Sequence, residues 1–262
     1  MSFFEIFALG GLVIWVYVTL LWLVSLVIKN ASIIDIFWGL GFVLATSVYF
    51  LSSDNGYQGR QFLILALVSI WGIRLSAHIG RRNIGKGEDF RYANWRRQYG
   101  EKWWWRSYLQ VFLLQGVILW LISTPLLAAQ YHDTPDHLTI LDILGLLVWG
   151  TGFFFEAVGD WQLMVFKANP ANKGKVLNTG LWRYTRHPNY FGDATLWWGY
   201  FLIALATPYG FLTVYAPAFM TFLLMKVSGV AMLEKTLVET KPQYRDYVQS
   251  TNAFFPGPPR TS

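Results

Sequence analysis

Seven stretches of this sequence are too long and too apolar for the ordinary elements of a soluble domain: residues 3–28, 32–52, 60–80, 107–129, 139–160, 189–206 and 209–231. A helix that crosses a bilayer needs about 20 mostly apolar residues, and each stretch supplies that length or close to it. The composition agrees. The chain is 54% hydrophobic and only 14% charged, where soluble domains carry about 25% charged residues. The expected fold is all-α and polytopic, a single membrane-embedded domain over residues 1–262 with seven transmembrane helices. The sixth helix runs straight out of a polar stretch. The last two are joined tightly at "ATPYG", where Pro208 and Gly210 favour a turn. The first apolar run lacks a basic lead-in and is too long for a signal peptide, so it is read as a spanning helix.

The charges orient these helices. Loop 81–106 carries Arg81, Arg82, Lys86, Arg91, Arg96, Arg97, Lys102 and Arg106, and loop 161–188 carries Lys167, Lys173, Lys175, Arg183 and Arg186. The tail adds Lys235, Lys241, Arg245 and Arg260, and the first loop adds Lys29. With seven spans all of these fall on one face, eighteen of the 21 Lys and Arg residues. The opposite face keeps Arg60 beside Asp54, Asp133 and Asp136. Positive loops stay in the cytosol, which puts the N-terminus outside and the C-terminus inside. The net charge of +6 is thereby explained without nucleic acid. Cysteine is absent, which excludes disulfides, a thiolate nucleophile and Cys-ligated metals.

Ionisable groups inside spanning segments cost roughly 2.5–3.5 kcal/mol each and should face a cavity or a partner. Asp35 lies about one turn into the second helix, with Trp38 three residues on and on the same face; the helix dipole alone could also account for it. Arg74, His78 and the pair Arg81/Arg82 recur at three- and four-residue steps, carrying positive charge into the membrane. Snorkelling explains Arg81 and Arg82, but Arg74 lies about two turns deeper and suits an anion. Glu156 and Asp160, four apart at the cytosolic end of the fifth helix, could serve ribose hydroxyls, a metal or basic neighbours. Glu234 belongs to a tail that also reads as an ordinary solvated helix.

The stretch "GLWRYTRHPNYFGD", residues 180–193, concentrates polar groups where the sixth span begins. Pro188 suits the first position of a helix. Asn189 and Asp193 then share a face of its first turn, at an N-terminus whose free N–H groups favour an anion. Interfacial anchoring would explain the aromatic residues but not Arg186, His187, Asn189 and Asp193 together. No G-x-G-x-x-G follows a strand, and no phosphate-binding loop of the G-x-x-x-x-G-K-[ST] type is present. The four His are scattered at 78, 132, 137 and 187 without an H-E-x-x-H, so no metal site is expected.

With its continuation "WWGYFL" and the tail "LEKTLVETKPQYRDYVQSTNAFFP", this stretch resembles the C-terminal family of steroid 5-alpha-reductases. "IIDIFWGLGFVL" and "WGIRLSAHIGRRNIGKGEDFRY" fit its bacterial-type branch. The R-H-P-x-Y-x-G core is shared with NADPH-dependent sterol reductases and with isoprenylcysteine carboxyl methyltransferases, which use S-adenosylmethionine. The resemblance implies NADPH-dependent reduction of the 4,5 double bond of a 3-oxo-4-ene steroid or similar enone lipid. Hydride goes to the beta carbon, and an acid polarises the ketone. Asp35 falls at the position of that acid, one methylene shorter than the family's glutamate. Trp71 falls at the position of the family's tyrosine and cannot donate an acidic proton, which leaves Tyr190 and Tyr184 as substitutes. Asp35, Trp38 and Trp71 are the implied substrate contacts.

The implied cofactor contacts are Arg74, Lys86, Asp160, Lys167, Asn189, Asp193 and Lys226, and the residues themselves add Glu156, Arg183, Arg186, His187 and Glu234 as candidate cofactor contacts. Lysines stand where the animal enzymes have arginines, keeping the charge for phosphate but losing the bidentate fork. The alternatives are an S-adenosylmethionine-dependent lipid or prenyl methyltransferase and a non-catalytic lipid-binding or transport protein. The expected partners are a lipid-soluble enone and membrane lipids, with no nucleic acid, and the protein is expected to be a monomer. Its expected place is the plasma or inner membrane in a bacterium, or the endoplasmic reticulum in a eukaryote.

Overall fold

The structure is a computed structural model; it describes residues 1–227, Glu234, Leu237 and residues 243–260. All regular elements among the described residues are helical. Six helical stretches are long and apolar enough to cross a membrane: Phe3–Ile28, Ile33–Ser52, Gln58–Asn83, Phe90–Tyr131, Ile140–Ala168 and Gly210–Val227. The stretch expected at 189–206 does form a helix, Pro188–Leu205, but it is not among the six. Asn189 and Asp193 in its first turns, and Trp197, Trp198 and Tyr200 beyond them, lower its mean hydropathy. Residues 228–231 of the last expected span lie outside the described residues.

The chain packs as two compact units, Met1–Thr139 with Ala204–Thr213, and Ile140–Ile203 with Val214–Ser262. In the first unit, α1 (Phe3–Ile28) is capped by Ser2, whose hydroxyl accepts from the Glu5 N–H while its own N–H donates to the Glu5 carboxylate. Ile6, Gly10, Ile14, Val18, Leu21 and Ser25 form its buried stripe. Leu12, Leu20, Leu23 and Val27 stay exposed, as lipid-facing side chains would be. α2 (Ile33–Ser52) and α3 (Gln58–Asn83) meet at Gly39 and Gly72. A Cβ on either glycine would lie 2.6 Å from the other's carbonyl oxygen, so the backbones touch directly.

The α2–α3 turn is pinned from α3. Gln61 Nε2 donates to the carbonyls of Ser53 at 2.6 Å and Gln130 at 3.1 Å. Arg60 is fully buried, with its guanidinium spanning the carbonyls of Pro135 and His137 and lying over the Tyr57 ring. The one basic residue assigned to the outer face is thus a clamp on the loop after Tyr131. The expected helix 107–129 lies within a longer run: α4 (Phe90–Tyr99), α5 (Trp103–Ser107), a π-helical turn at Tyr108–Leu113, α6 (Leu114–Ile122) and α7 (Thr124–Tyr131). Pro125 opens α7, where its missing N–H costs no helical bond.

The second unit is organised by glycines at seven-residue spacing. α8 (Ile140–Ala168) presents Gly145, Gly152 and Gly159, and α9 (Pro188–Leu205) presents Gly192 and Gly199. A Cβ on Gly152 would lie 2.4 Å from the Leu196 nitrogen, one on Gly192 2.3 Å from the Glu156 nitrogen, and one on Gly199 2.7 Å from the Trp149 nitrogen. The helices pack backbone to backbone, the small-residue approach that suits association in lipid. α10 (Tyr215–Phe222) and α11 (Tyr244–Ser250) complete the unit. Gly152→Ala is expected to lower stability by about 1–3 kcal/mol, the usual range for overpacking. Gly150→Ala, on the same helix with nothing within 4 Å, is expected to be neutral or to stabilise by roughly 0.5–1 kcal/mol. Thermal unfolding of the two variants in detergent checks the pair.

Candidate functional site

In the second unit the glycine contacts bring two acids of α8 against the first turns of α9. Glu156, Asp160 and Asp193 are buried, and the Asn189 Nδ2 donates to Asp160 Oδ1 at 3.0 Å. Gly159 makes this approach possible: a Cβ there would meet Pro188 at 3.1 Å and the Asn189 nitrogen at 3.2 Å. The other end of the Asn189 amide, Oδ1, is buried and accepts no hydrogen bond among the described residues. Further along α9, Tyr200 is fully buried and lies within electrostatic reach of Glu156 and Asp193. Tyr200 carried no signal in the sequence beyond ordinary aromatic content. Lys167, Arg183 and Lys226 are exposed cations of this unit.

The residues before α9 are held from the chain's C-terminal end. Trp182 Nε1 donates to the Gly159 carbonyl at 3.1 Å. Arg186 is buried; its Nε donates to Glu234 Oε1 at 2.7 Å, and its Nη1 donates to the carbonyls of Val248 and Thr251. His187 Nε2 lies 3.2 Å from the same Glu234 oxygen, and its ring stacks on Tyr190. Arg186, His187 and Glu234, all expected at the cofactor, form one clamp that fastens α11 and the tail to the start of α9. Tyr184 is exposed.

The first unit holds a second cluster. Asp35 on α2 accepts from Arg91 Nη2 at 2.9 Å on one oxygen and from the Tyr92 hydroxyl at 2.7 Å on the other. Gln115 Nε2 donates to the Tyr92 oxygen at 3.3 Å. The segment leading into α4 is tied down on both sides. Glu88 accepts from the Ala31 N–H and from Arg96, and the Asp89 N–H donates to the Ser32 hydroxyl. Asp89 caps α4 through the Arg91 N–H and also takes the Arg91 Nε. Burial pushes the Asp89 carboxyl up, but these two Arg91 bonds outweigh it and hold it below its usual value. Trp38 of α2 packs edge-on against Phe42, and Phe42 packs against Trp71 of α3. Arg74 is half-buried, while Lys86 is exposed.

Sequence reading treated 81–106 as a reservoir of cations and missed that Arg91 and Arg96 are ion-paired. The signal was the local run "EDFRY", acids directly before the arginine that pairs with them. Among the described residues no group of three or more His, Asp or Glu is arranged to hold a metal.

The clamp gives a pH dependence. Burial raises the Glu234 carboxyl, but hydrogen bonds from His187 and Arg186 and their charges outweigh it and lower it from 4.5 to about 2. A group lowered on folding stabilises fully above its unfolded value and loses that contribution as pH falls through the folded one. Acid is therefore expected to loosen the tail between about pH 4.5 and pH 2. Glu234→Gln is expected to remove this dependence and to cost about 1–3 kcal/mol at neutral pH. Limited proteolysis of the tail across pH, in both proteins, measures it.

The chain belongs to the DUF1295 family, described as a protein of unknown function, whose pattern matches residues 21–251. An uncharacterised protein of Schizosaccharomyces pombe is 26% identical over 95% of this chain and 79% of its own length. The Delta(14)-sterol reductase of Ascobolus immersus is 35% identical over 36% of this chain and 25% of its own length. A protein of Ustilaginoidea virens named "Probable O-methyltransferase ustE" is 42% identical over 20% of this chain and 18% of its own length. The chain is thus similar to a quarter or less of each named enzyme. No solved structure matches it.

Proposed function

We propose that this protein is an NADPH-dependent membrane reductase that saturates the 4,5 double bond of a 3-oxo-4-ene steroid or a similar enone lipid. The observation that carries the reading is the buried Asn189 amide. One end is fixed on Asp160 and the other, Oδ1, is a buried acceptor with no hydrogen bond among the described residues. A buried acceptor left unmade costs roughly 1–3 kcal/mol, and the carboxamide N–H of a nicotinamide is a fitting donor. Glu156, Asp160 and Asp193 provide acceptors for ribose hydroxyls. Lys167, Arg183 and Lys226 provide charge for the phosphates. Arg186, His187 and Glu234 hold the segment that leads into α9. The bound nucleotide supplies the hydride; the chain binds, orients and polarises. Asp35, Trp38 and Trp71 are assigned to the lipid, and Tyr190, stacked on His187, remains a candidate donor.

The similarity to a sterol reductase supports this reading. With Pro188–Leu205 counted as a span, the protein has seven, with its N-terminus outside and its basic loops and C-terminus in the cytosol. It works as one domain and as a monomer, in the plasma or inner membrane of a bacterium or the endoplasmic reticulum of a eukaryote. The similarity to an O-methyltransferase keeps one second reading, transfer of a methyl group from S-adenosylmethionine to a lipid.

Thermal-shift measurements on the purified protein separate the two. NADPH is expected to raise the melting temperature at concentrations where S-adenosylmethionine does not, by the mass action of a ligand that binds only the folded state. Asn189→Ala is expected to weaken NADPH binding about ten-fold or more. Stabilisation by S-adenosylmethionine alone would make the α8–α9 cluster a methyl-donor site.

A further inference from the structure

We propose that the basic, aromatic surface of α4 and α5 binds an anionic phospholipid, with its phosphate on Arg106 and Lys102 and one acyl chain in the groove between α1 and α6. All of these elements belong to the first unit.

Arg106 carries the inference. It closes a ladder of cations and rings. Arg96 lies over the Trp103 ring at 5.8 Å, Trp103 stacks on Tyr99 at 6.2 Å, and Arg106 lies over Tyr99 at 4.5 Å and over Trp105 at 5.1 Å. The arginines of α4 are engaged: Arg91 with Asp35 and Asp89, Arg96 with Glu88, and Arg97 with Asn94. Arg106 differs. It is half-buried, and its Nε is buried without a hydrogen bond among the described residues. A guanidinium stacked on aromatic rings is suited to hold phosphate through its fork of donors. Lys102, exposed and four residues earlier through the helical turn Gly100–Lys102, lies on the same helix face. Glu101 is the exposed acid beside them. Two cations against one acid favour a headgroup of net negative charge over a zwitterionic one.

The position selects a lipid as the source of the phosphate. Arg106 stands directly before the apolar run 107–129, and Trp104 and Trp105 beside it are exposed, the aromatic pattern of a membrane–water boundary. From there an unbroken line of aromatic contacts follows α1. Trp104 stacks on Trp22, Trp22 packs on Tyr108, and Trp15 Nε1 donates to the Tyr108 hydroxyl at 3.0 Å.

Trp15 lines a groove of about 360 Å³ that runs along α1 from Val18 to Ala8 and is walled on α6 by Gly116, Val117 and Trp120. Its side chains are hydrocarbon except for two indole N–H groups. Both are spent within the chain, Trp15 on Tyr108 and Trp120 on the Phe7 carbonyl at 2.8 Å. The groove therefore offers nothing to a polar ligand and suits a hydrocarbon chain. At 1.5 Å per residue it starts about 6 Å and ends about 21 Å along α1 from Trp22. That is roughly the depth of one leaflet in a hydrocarbon core of about 30 Å. Phosphate site and chain site thus follow one another in the order a phospholipid requires.

The test uses the full chain in detergent and follows thermal unfolding during titration with four probes: dioleoylphosphatidylglycerol, dioleoylphosphatidylcholine, the short-chain dihexanoylphosphatidylglycerol and inorganic phosphate. Dioleoylphosphatidylglycerol is expected to raise Tm at concentrations where dioleoylphosphatidylcholine and inorganic phosphate do not. Arg106→Leu is expected to weaken its binding about ten-fold or more, and Lys102→Gln about five-fold. Val117→Trp, at an exposed position of the groove, is expected to weaken the dioleoyl lipid and leave the short-chain lipid unchanged. Equal stabilisation by inorganic phosphate would mean an adventitious ion only and overturns the inference. Equal stabilisation by dioleoylphosphatidylcholine, or wild-type binding of dioleoylphosphatidylglycerol by Arg106→Leu, also overturns it. If Arg106→Leu does not fold, Lys102→Gln and Val117→Trp decide, and wild-type binding of the dioleoyl lipid by either variant overturns the inference.

Discussion

Between α8 and α9, backbone atoms meet where side chains would otherwise hold two helices apart. Gly145 and Gly152 on one helix and Gly192 and Gly199 on the other leave no room for a Cβ, and Gly159 leaves little. In lipid, helices gain nothing from burying apolar side chains against each other, so such close approach is what holds them together. The polar cluster depends on the same contact. Glu156 and Asp160 follow directly on Gly152 in the α8 register, and Asn189 and Asp193 flank Gly192 on α9. The packing that joins the helices therefore also sets acid against amide at 3.0 Å.

Among the described residues, three arginines spend their charge on internal partners. Arg60 spans two loop carbonyls, Arg186 joins Glu234 to the carbonyls of the tail, and Arg91 joins Asp35 to Asp89. Removing either partner of such a pair strands a charge, which makes these clamps structural necessities. Against that background, the buried Asn189 Oδ1 and Trp38 Nε1 make no hydrogen bond among the described residues.

Hydrophobic run length made the helices legible. Residues 3–28 and 32–52 were read within a residue of α1 and α2, because uninterrupted apolar sequence leaves the backbone no other partner than itself in lipid. The limits were local polarity and distance along the chain. α8 continues past the expected end at 160 to Ala168, since charged residues at an interface can extend a helix that hydropathy alone would stop. Asn189 and Asp160 were both singled out, but their pairing joins positions 29 residues apart. The clamp from His187 to Glu234 and the bond from Tyr92 to Asp35 span 47 and 57 residues. No periodicity encodes contacts of that range. The glycine contact was readable as a seven-residue recurrence, yet its meaning needed both helices in place.

The central claim is that this membrane protein moves a hydride onto an enone. The most direct measurement is incubation of the purified protein with NADPH deuterated at C4 of the nicotinamide and an enone steroid, followed by mass spectrometry of the steroid. The expected result is a product heavier by one hydrogen and one deuterium, with the deuterium on the former β carbon of the enone. Recovery of unlabelled steroid alone, or of a methylated lipid when S-adenosylmethionine replaces NADPH, would contradict it.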